Sequence, residues 1–292
     1  MISNLVEVYC LADNLTKKID DHFEKTKVGR KSVLNRAEYI TLSIIKQMRG
    51  INTIKDLYEI VKICMHRDFS NLPSYQQFCE GLANNFKYVA IIAQLLAQMN
   101  KSSTKQEYFI DSSVLEICKP IYNNDVKLGM GIADFGKNLE GWFFGFKLHL
   151  IITKNMEIVS FKFSPASTSD IAALDDKMVD GLKGYLIGDK GYISSCKASH
   201  FAQKGLTLIT RPRKNMKKVP VDDDILLLLA KRQRIETVFG QLKNTFTLIN
   251  RKLRSIKSFF SNACSALISY MIKEKPHLLS ICYNNFDDLV IS

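Results

Sequence analysis

Two aspartates in the sequence occupy positions where a carboxylate is unusual. Asp111 lies inside the apolar string YFID, where a charge is costly unless it is paired or used. Asp189 follows the short apolar segment GYLIG and precedes Lys190, Gly191 and Tyr192. Such a segment has the composition of a buried strand, and open α/β sheets place their ligands at the carboxyl ends of strands. The bland alternatives are a buried ion pair or a misread turn for Asp111, and a simple turn for Asp189.

A third carboxylate, Glu236, lies between two cations. Arg232, Glu236 and Lys243 are four and seven residues apart, a spacing that keeps them along one edge of a helix. This pattern predicts either a surface salt-bridge ladder or a metal ligand with phosphate-binding neighbours. The spacing by itself leaves both interpretations open.

Together, the three carboxylates have the chemistry of a phosphodiester-processing site. Two aspartates and a glutamate converging at a sheet edge can hold two divalent metal ions about 3.5–4 Å apart. Such a pair activates water and stabilises the leaving oxygen. Each residue alone has a structural explanation, but all three lie in elements suited to this arrangement.

Several other side chains are candidates for contacts around such a site. His149 is either near the metal ions or a structural histidine, Asp170 is predicted to cap a helix, and Trp142 is predicted to lie in the core. The predicted contacts to a polyanion, in addition to Arg232 and Lys243, are Lys190, Tyr192, Arg211, Arg213, Lys214, Lys217 and Lys218. The last five belong to a basic segment, RPRKNMKK, for which a merely solvated loop is the alternative. For Lys190 and Tyr192 the alternative is a role in the turn after Asp189.

The charge distribution also indicates a polyanionic partner. Residues 1–100 carry 13 basic and 10 acidic side chains, a net charge of +3, whereas residues 211–257 carry 13 basic and 4 acidic ones, a net charge of +9. The excess thus lies around the helix that carries Glu236, as expected for phosphate contacts. The alternative is a basic surface that serves only solubility.

Other compositional features narrow the class of protein. The seven cysteines form no CxxC pair and no zinc-site spacing, which favours a reducing compartment. No apolar run reaches the length of a membrane span, and the first residues lack a signal-peptide pattern. The sequence therefore predicts a cytoplasmic protein with no membrane partner.

The elements that would position these residues fall into two domains, 1–103 and 104–292. Periodicity in the first predicts helices over 5–23, 37–48, 54–64, 75–82 and 86–99. This is compatible with a helix-turn-helix-like DNA-binding domain or with a plain helical bundle.

The second domain has the pattern of a mixed α/β fold. Strands are predicted at 107–118, 142–153, 157–164, 183–188 and 206–210, with an irregular segment over 119–141. Helices are predicted at 171–181, 194–204, 224–247 and 256–273. In the helix at 224–247, Asp222, Asp223 and Asp224 are capping candidates. The apolar residues Ile235, Val238, Phe239, Leu242 and Phe246 form a core-facing stripe.

Three motifs together resemble the DDE transposases of bacterial insertion sequences. They are YFIDSS, GDKGY, and the combination of Arg232, Glu236 and Lys243 at their spacing. The strings GWFFGFKLHL, TRPRKNMKK and RQRIETVFGQLK resemble the insertion-sequence group numbered 982 in particular. The similarity is close from about residue 107 to 270 and loose over the N-terminal helices.

This resemblance implies an RNase-H-like fold and a bacterial, nucleoid-associated protein. It implies Asp111, Asp189 and Glu236 as ligands of two Mg²⁺ ions, for which Mn²⁺ can substitute. These ions would direct a water, and then a 3′-hydroxyl, at DNA phosphates. Arg232 and Lys243 would hold the DNA backbone. The partners would be the element's terminal inverted repeats, target DNA and a second protomer.

The sequence departs from the family pattern at one position and leaves rival functions open. Leu229 stands where relatives often have a tyrosine, three residues before the arginine, which puts details of strand handling in doubt. The short linker between the last strand and the helix leaves no room for the insertion domain of some relatives. The rivals are an RNase-H-like endonuclease without strand transfer and a non-catalytic DNA-binding relic.

Overall fold

The computed structural model describes residues 3–22, 32–119, 128–138, 141–211, 223–250 and 253–280. They group into two compact units. The first combines Met1–Leu96 with Gln241–Ser292, and the second is Ala97–Gly240. The predicted functional domains, 1–103 and 104–292, stay a prediction. By their contacts, the residues from Gln241 onward group with the N-terminal helices.

Helices make up the described part of the first unit. Their bounds are α1 Ser3–His22, α2 Arg36–Met48, α3 Ile54–Cys64, α4 Tyr75–Asn84 and α5 Phe86–Met99, which crosses the boundary between the units. Local capping fixes where three of them begin. Asn35 and Glu38 form a capping box at α2, Ser74 and Gln77 form another at α4, and Thr53 caps α3. All five helices lie where periodicity predicts them.

The second unit is built on a mixed sheet. Its strands are β1 Gln106–Cys118, β2 Asp134–Asn138, β3 Gly141–Thr153, β4 Ile158–Pro165, β5 Gly184–Gly188 and β6 Leu206–Thr210. The strand order is β2-β3-β1-β5-β6, and β4 pairs with β3 beside β2. The β1–β3 and β3–β4 pairs are antiparallel, whereas β1–β5 and β5–β6 are parallel. The five predicted strands are confirmed to within one residue.

The helices of this unit connect and cover the sheet. They are α6 Asp170–Ala173, α7 Asp176–Val179, α8 Ser195–Gln203, α9 Asp223–Lys231 and α10 Arg234–Asn244, which runs into the first unit. A buried cluster joins the segments from α6 to α8 to the strands: Tyr108, Ile110, Ile151, Val159, Leu174, Met178, Val179, Leu182, Leu186, Tyr192, Phe201 and Leu206. Its apolar residues come from β1, β3, β4, β5, β6 and the helical segments after β4, so burying them fixes the sheet against those segments.

Two elements between β1 and α7 differ from the sequence prediction. β2 lies in the segment predicted to be irregular and pairs with the first residues of β3, from Trp142 opposite Lys137 to Gly145 opposite Asp134. Its sequence DFGKN contains little of the β-branched composition that identifies strands, so pairing with β3 decides it. The predicted helix 171–181 is two four-residue helices. Leu174 ends the first in an extended conformation, and Asp175 caps the second by accepting from Met178 N–H.

The predicted helix 224–247 is also divided, at Arg232 and Gln233, into α9 and α10. No glycine or proline causes the break. Three cations around it contact acceptors on β1 and in the turn after β3: Lys231 pairs with Glu107, Arg232 with Asp111, and Arg234 donates to the Lys154 carbonyl. These tertiary contacts override a helix propensity that is weak by comparison. The predicted apolar stripe is buried as expected, with its five residues 0–7% exposed.

The first unit is completed by α11 Ile256–Glu274 and α12 His277–Ser280. α11 packs on α2 and α4, and every residue from Ser261 to Ile272 is buried. Most of its buried polar side chains are hydrogen-bonded. For example, Ser269 Oγ donates to the Ile44 carbonyl of α2. In the described ranges no helix is both long and apolar enough to cross a membrane.

Gly184, at the start of β5, tests how tightly β5 is fitted against β1. It has φ +113°, and a Cβ there would lie 2.2 Å from the Gln106 carbonyl oxygen. We expect Gly184→Ala to lower the free energy of unfolding in urea by at least about 2 kcal/mol. Gly240→Ala is the control, because a Cβ in that part of α10 meets no atom within 4 Å. It should be neutral or stabilise by up to about 1 kcal/mol. Equal effects of the two variants would contradict this fit.

Candidate active site

The candidate site centres on Asp111, at the middle of β1 and opposite Leu150 of β3. Arg232 Nη1 donates to Asp111 Oδ2 at 2.7 Å, and the Ser112 backbone N–H donates to Asp111 Oδ1 at 2.8 Å. The Asp111 side chain is 24% exposed. Both carboxylate oxygens are thus engaged, and the charge inside the apolar strand has a partner.

The same guanidinium also contacts Glu236. Arg232 Nη2 lies 3.2 Å from Glu236 Oε1, and the Glu236 side chain is 60% exposed. Arg232 therefore joins a carboxylate on β1 to one on α10. The break between α9 and α10 places Arg232 at this point. The structure thus contains the predicted salt bridge between Arg232 and Glu236, and Arg232 also pairs with Asp111 on the sheet.

Asp189 directly follows β5, which runs parallel to β1. The register pairs Phe109 with Ile187, and two more residues along each strand bring Asp189 level with Asp111. The Asp189 side chain makes no capping hydrogen bond to the 3₁₀ turn Lys190–Tyr192 that follows it. Its charge is close enough to Asp111 to raise the pKa of that carboxyl.

The pKa of Asp111 reflects opposing influences. Burial raises it most, and the Ser112 N–H and the charge and hydrogen bond of Arg232 lower it. The charge of Asp189 raises it again, and the net effect is a pKa above the ordinary value. An ionised Asp111 therefore costs the fold free energy even with Arg232 beside it. A second cation near this carboxylate would reduce that cost.

The donor chemistry of the three carboxylates suits a hard divalent cation, since Mg²⁺ prefers oxygen ligands. Their arrangement is ion-paired, with Arg232 in contact with two of the three. Among the described residues, no three acidic, histidine or cysteine side chains lie close enough together to hold a metal ion. The carboxylates fit a metal site in kind, and the guanidinium occupies the position between Asp111 and Glu236.

A fourth carboxylate, Asp170, borders the site. Asp170 Oδ1 accepts a hydrogen bond from Ser112 Oγ at 2.9 Å and lies 3.3 Å from Lys147 Nζ. A Cβ on Gly191 would lie 2.9 Å from Asp170 Oδ2, so the turn after Asp189 packs directly against it. Asp170 therefore links β1 to the turn that carries Asp189. The cap of α6 is the neighbouring Ser169, whose Oγ accepts from Ala172 N–H.

The sequence offers one signal for this role of Asp170. Gly191, in the GDKGY motif, is required by close approach rather than by its backbone angles. A glycine beside a candidate catalytic aspartate points to a tightly packed neighbour. The identity of that neighbour, about twenty residues earlier in the chain, depends on the fold.

The prediction that Tyr192 contacts DNA needs correction. Its side chain is 1% exposed and belongs to the buried cluster under the sheet. Burial raises the pKa of its hydroxyl strongly, and the charges of Asp170, Asp111 and Asp189 add to this. An apolar environment on one side and carboxylates on the other keep the ring neutral. Tyr192 therefore supports the turn after Asp189 from within the core.

The exposure of His149 and of Trp142 also tests their predicted positions. His149 is fully buried and its Nε2 lies 2.8 Å from Ser164 Oγ, while burial lowers its pKa to about 4. Of the two predicted roles, His149 therefore has the structural one, and its ring is neutral. Trp142 is 60% exposed, so its predicted place in the core is wrong. Trp142 is at the second position of β3, paired with Lys137 of the short strand β2, where little covers it.

The predicted phosphate-binding cations are only partly described. Lys190 and Arg211 are exposed, and Lys243 is an exposed residue of α10 two turns beyond Glu236. Arg213, Lys214, Lys217 and Lys218 lie outside the described residues. Their assignment as a phosphate-binding loop stays a prediction.

Comparisons with known proteins agree with this architecture. A family model described as "Transposase DDE domain" matches residues 101–256, which include all three carboxylates. A comparison with curated proteins finds no match. Among solved structures, a piggyBac transposase in a synaptic complex with hairpin DNA is similar with a TM-score of 0.52. The two are 9% identical over 92% of this chain and 72% of that one. This similarity confirms the predicted RNase-H-like fold, with N-terminal helices before a mixed sheet flanked by helices.

The raised pKa of Asp111 predicts a stabilising substitution. Above its pKa the ionised Asp111 destabilises the fold, and below the ordinary pKa of about 3.8 both states are protonated. We expect Asp111→Asn to raise the free energy of unfolding at pH 7 by about 0.5–2 kcal/mol. The gain should vanish as the pH falls to 3.5, as followed by thermal unfolding across pH.

Asp175 is a control of opposite sign. Burial raises its pKa, but the hydrogen bond and charge of Lys162 and the Met178 N–H outweigh burial and lower it. Asp175→Asn should therefore reduce stability at neutral pH, and the loss should disappear as acid protonates the wild-type carboxyl. Destabilisation of both variants at pH 7 would show that Arg232 more than offsets the burial of Asp111.

Proposed function

The chain belongs to the family of transposase DDE domains, and we propose that it is a metal-dependent DNA transposase. In this proposal it hydrolyses phosphodiester bonds at the ends of an insertion sequence and then joins those ends to target DNA. The motif strings favour the group numbered 982, which the family match leaves untested. The function is proposed for a bacterial, nucleoid-associated protein.

One observation supports this proposal above the others. Carboxylates from three separate elements border one region, Asp111 on β1, Asp189 at the end of β5 and Glu236 on α10. A single guanidinium joins Asp111 to Glu236, and the charge of Asp189 acts on Asp111. Divalent metal ions, when bound by Asp111, Asp189 and Glu236, supply an activated water and stabilise charge on the scissile phosphate.

Arg232 has a second role in the proposed reaction, that of holding the DNA backbone. A guanidinium binds carboxylates and phosphates with the same planar donors. In the DNA complex, a backbone phosphate would compete with Asp111 and Glu236 for Arg232. Exposed Lys190, next to Asp189, would contact the same DNA. Transfer of Arg232 from the carboxylates to a phosphate would hold the DNA and at the same time free Asp111 and Glu236 to bind metal ions.

The remaining partners follow from the reaction. Two ends of one element have to be joined, which requires two active sites and favours a homodimer on DNA. The similar piggyBac structure is a synaptic complex with hairpin DNA. The basic segment of residues 211–257 supplies the charge for such contacts.

The carboxylates can be tested by charge removal. We expect Asp111→Asn, Asp189→Asn and Glu236→Gln each to reduce Mg²⁺-dependent cleavage by at least about 10³-fold, because each removes a ligand for charge stabilisation. Affinity for DNA should change little. The substrate is a supercoiled plasmid carrying the gene with its native flanking DNA, and nicked and linear products are measured.

Asp176→Asn is the matched control, since Asp176 is an exposed carboxylate of α7 paired with His200 and Lys204. Unimpaired cleavage in any of the three site variants would refute the assignment of that residue. Pre-cleaved ends that never join target DNA would reduce the function to that of an endonuclease. DNA binding without any cleavage in Mg²⁺ or Mn²⁺ would indicate that the protein is a non-catalytic DNA-binding relic.

The double role of Arg232 predicts two opposite effects of one substitution. Arg232→Gln should tighten Mn²⁺ binding in the absence of DNA about fivefold, because an ion pair worth about 1 kcal/mol no longer competes. It should weaken binding to DNA and lower the salt dependence by about one phosphate contact. Mn²⁺ binding is measured by titration calorimetry.

Arg234→Gln is the control for this experiment. Arg234 is exposed, two residues away, and donates to the Lys154 carbonyl rather than to a carboxylate. Its removal should leave Mn²⁺ affinity unchanged. If Arg232→Gln binds Mn²⁺ no better than wild type, the guanidinium does not compete for the site.

A further inference from the structure

A second polar site lies within the helical unit, around Lys46 of α2. Lys46 is 4% exposed, and its Nζ donates to Asn262 Oδ1 of α11 at 3.0 Å. In the described ranges no carboxylate pairs with it. Burial lowers its pKa to about 8, so the side chain is still cationic at neutral pH. A buried ammonium without a counter-charge is costly and needs explanation.

Asn262 alone does not satisfy this ammonium. Its Oδ1 also accepts from Gln47 Nε2 at 2.7 Å, and its Nδ2 donates to the Thr247 carbonyl at 2.9 Å. An ammonium has three donors, of which one is accounted for by the described side chains. The Asn262 amide carries no net charge. Lys46 thus has unused donors and an uncompensated charge.

A small cavity adjoins Lys46. It encloses about 30 Å³, room for about one or two water molecules, and is partly open to solvent. Its lining residues are Ser43, Lys46, Gln47, Ile54, Leu82, Ala83, Leu253, Ser258, Ser261, Asn262 and Ser265. Ser265 is fully buried, and its Oγ has no hydrogen-bond partner in the structure. A buried hydroxyl without a partner is the second feature that points to a ligand.

The surroundings of the cavity favour an anion. α11 begins at Ile256, so the lining residue Ser258 lies in its first turn, where the helix dipole favours negative charge. The Ser258 N–H itself donates to the capping Ser255 Oγ. Lys55, Arg254 and Lys257 are next in sequence to the lining residues Ile54, Leu253 and Ser258. The nearby acid Asp56 is engaged in capping α3 with Thr53.

We propose that this cavity is an oxyanion-binding site, in which Lys46 Nζ and Ser265 Oγ donate to the oxygens of a phosphate group. The volume admits one or two oxygens while the rest of the group stays at the open mouth. The ligand neutralises Lys46 and gives Ser265 its missing partner. The phosphate belongs either to a free ion or to a DNA backbone, which offer the same oxygens.

Thermal unfolding of the full chain tests the site. Potassium phosphate is compared with potassium chloride at matched ionic strength and pH 7. Phosphate at about ten times its Kd should raise the midpoint by about 2–4 °C beyond chloride. Lys46→Met should abolish this difference, whereas Lys62→Met, at an exposed position of α3, should keep it. An equal response to both salts, or one retained in Lys46→Met, would overturn the proposal.

Ser265→Ala keeps the test valid should Lys46→Met fail to fold. Its hydroxyl has no hydrogen-bond partner in the protein, so the alanine variant loses no internal hydrogen bond. The phosphate-specific rise in midpoint should shrink in this variant. A full response there would remove Ser265 from the site and contradict the proposed geometry.

A duplex of about 20 base pairs identifies the source of the phosphate. If the cavity takes a DNA backbone phosphate, Lys46→Met should lower the salt dependence of DNA affinity by about one contact. If it takes a free ion, DNA binding stays as in wild type while the phosphate response is lost. Both results require the phosphate response and so support the site.

Discussion

The guanidinium of Arg232 is the contact on which the arrangement of the candidate site depends. It neutralises Asp111 inside an apolar strand and reaches Glu236 on the following helix. A straight helix from 223 to 244 would maximise local hydrogen bonding. The chain instead breaks at Arg232, and Lys231 and Arg234 contact the sheet on either side of the break. Local helix structure yields here to electrostatics, because an unpaired carboxylate in the sheet costs more than a few helical residues contribute.

The sequence was sufficient to predict five of the six described strands because each of the five has a local signal. Alternating and apolar strings identify five of the strands, and a charge within such a string identifies Asp111. The break at Arg232 has no such signal, since its cause lies on β1, 121 residues away in the chain. The role of Asp170 is hidden for the same reason. From the sequence, either Ser169 or Asp170 could cap α6. In the structure Ser169 is the cap, and Asp170 packs against Gly191.

Exposure was the property least accessible from the sequence. Tyr192 and Trp142 are both aromatic residues that follow a glycine, and their predicted places are reversed, with Tyr192 buried and Trp142 exposed. For Tyr192, the turn after β5 folds the ring under the sheet. For Trp142, pairing with the short strand β2 leaves the ring at an edge. Neither outcome follows from residue type, because both depend on which elements cover a position.

The helical unit is discontinuous in the chain. Its first five helices precede the sheet-containing unit, and α11, which packs on α2 and α4, follows it. During synthesis, the helices made first therefore wait with an apolar face uncovered until some 150 further residues have left the ribosome. A fragment ending after α5 would lack the helix that covers this face. The helical unit therefore cannot be isolated by a single cut in the chain. To study it alone, its N-terminal and C-terminal segments would have to be joined directly to each other.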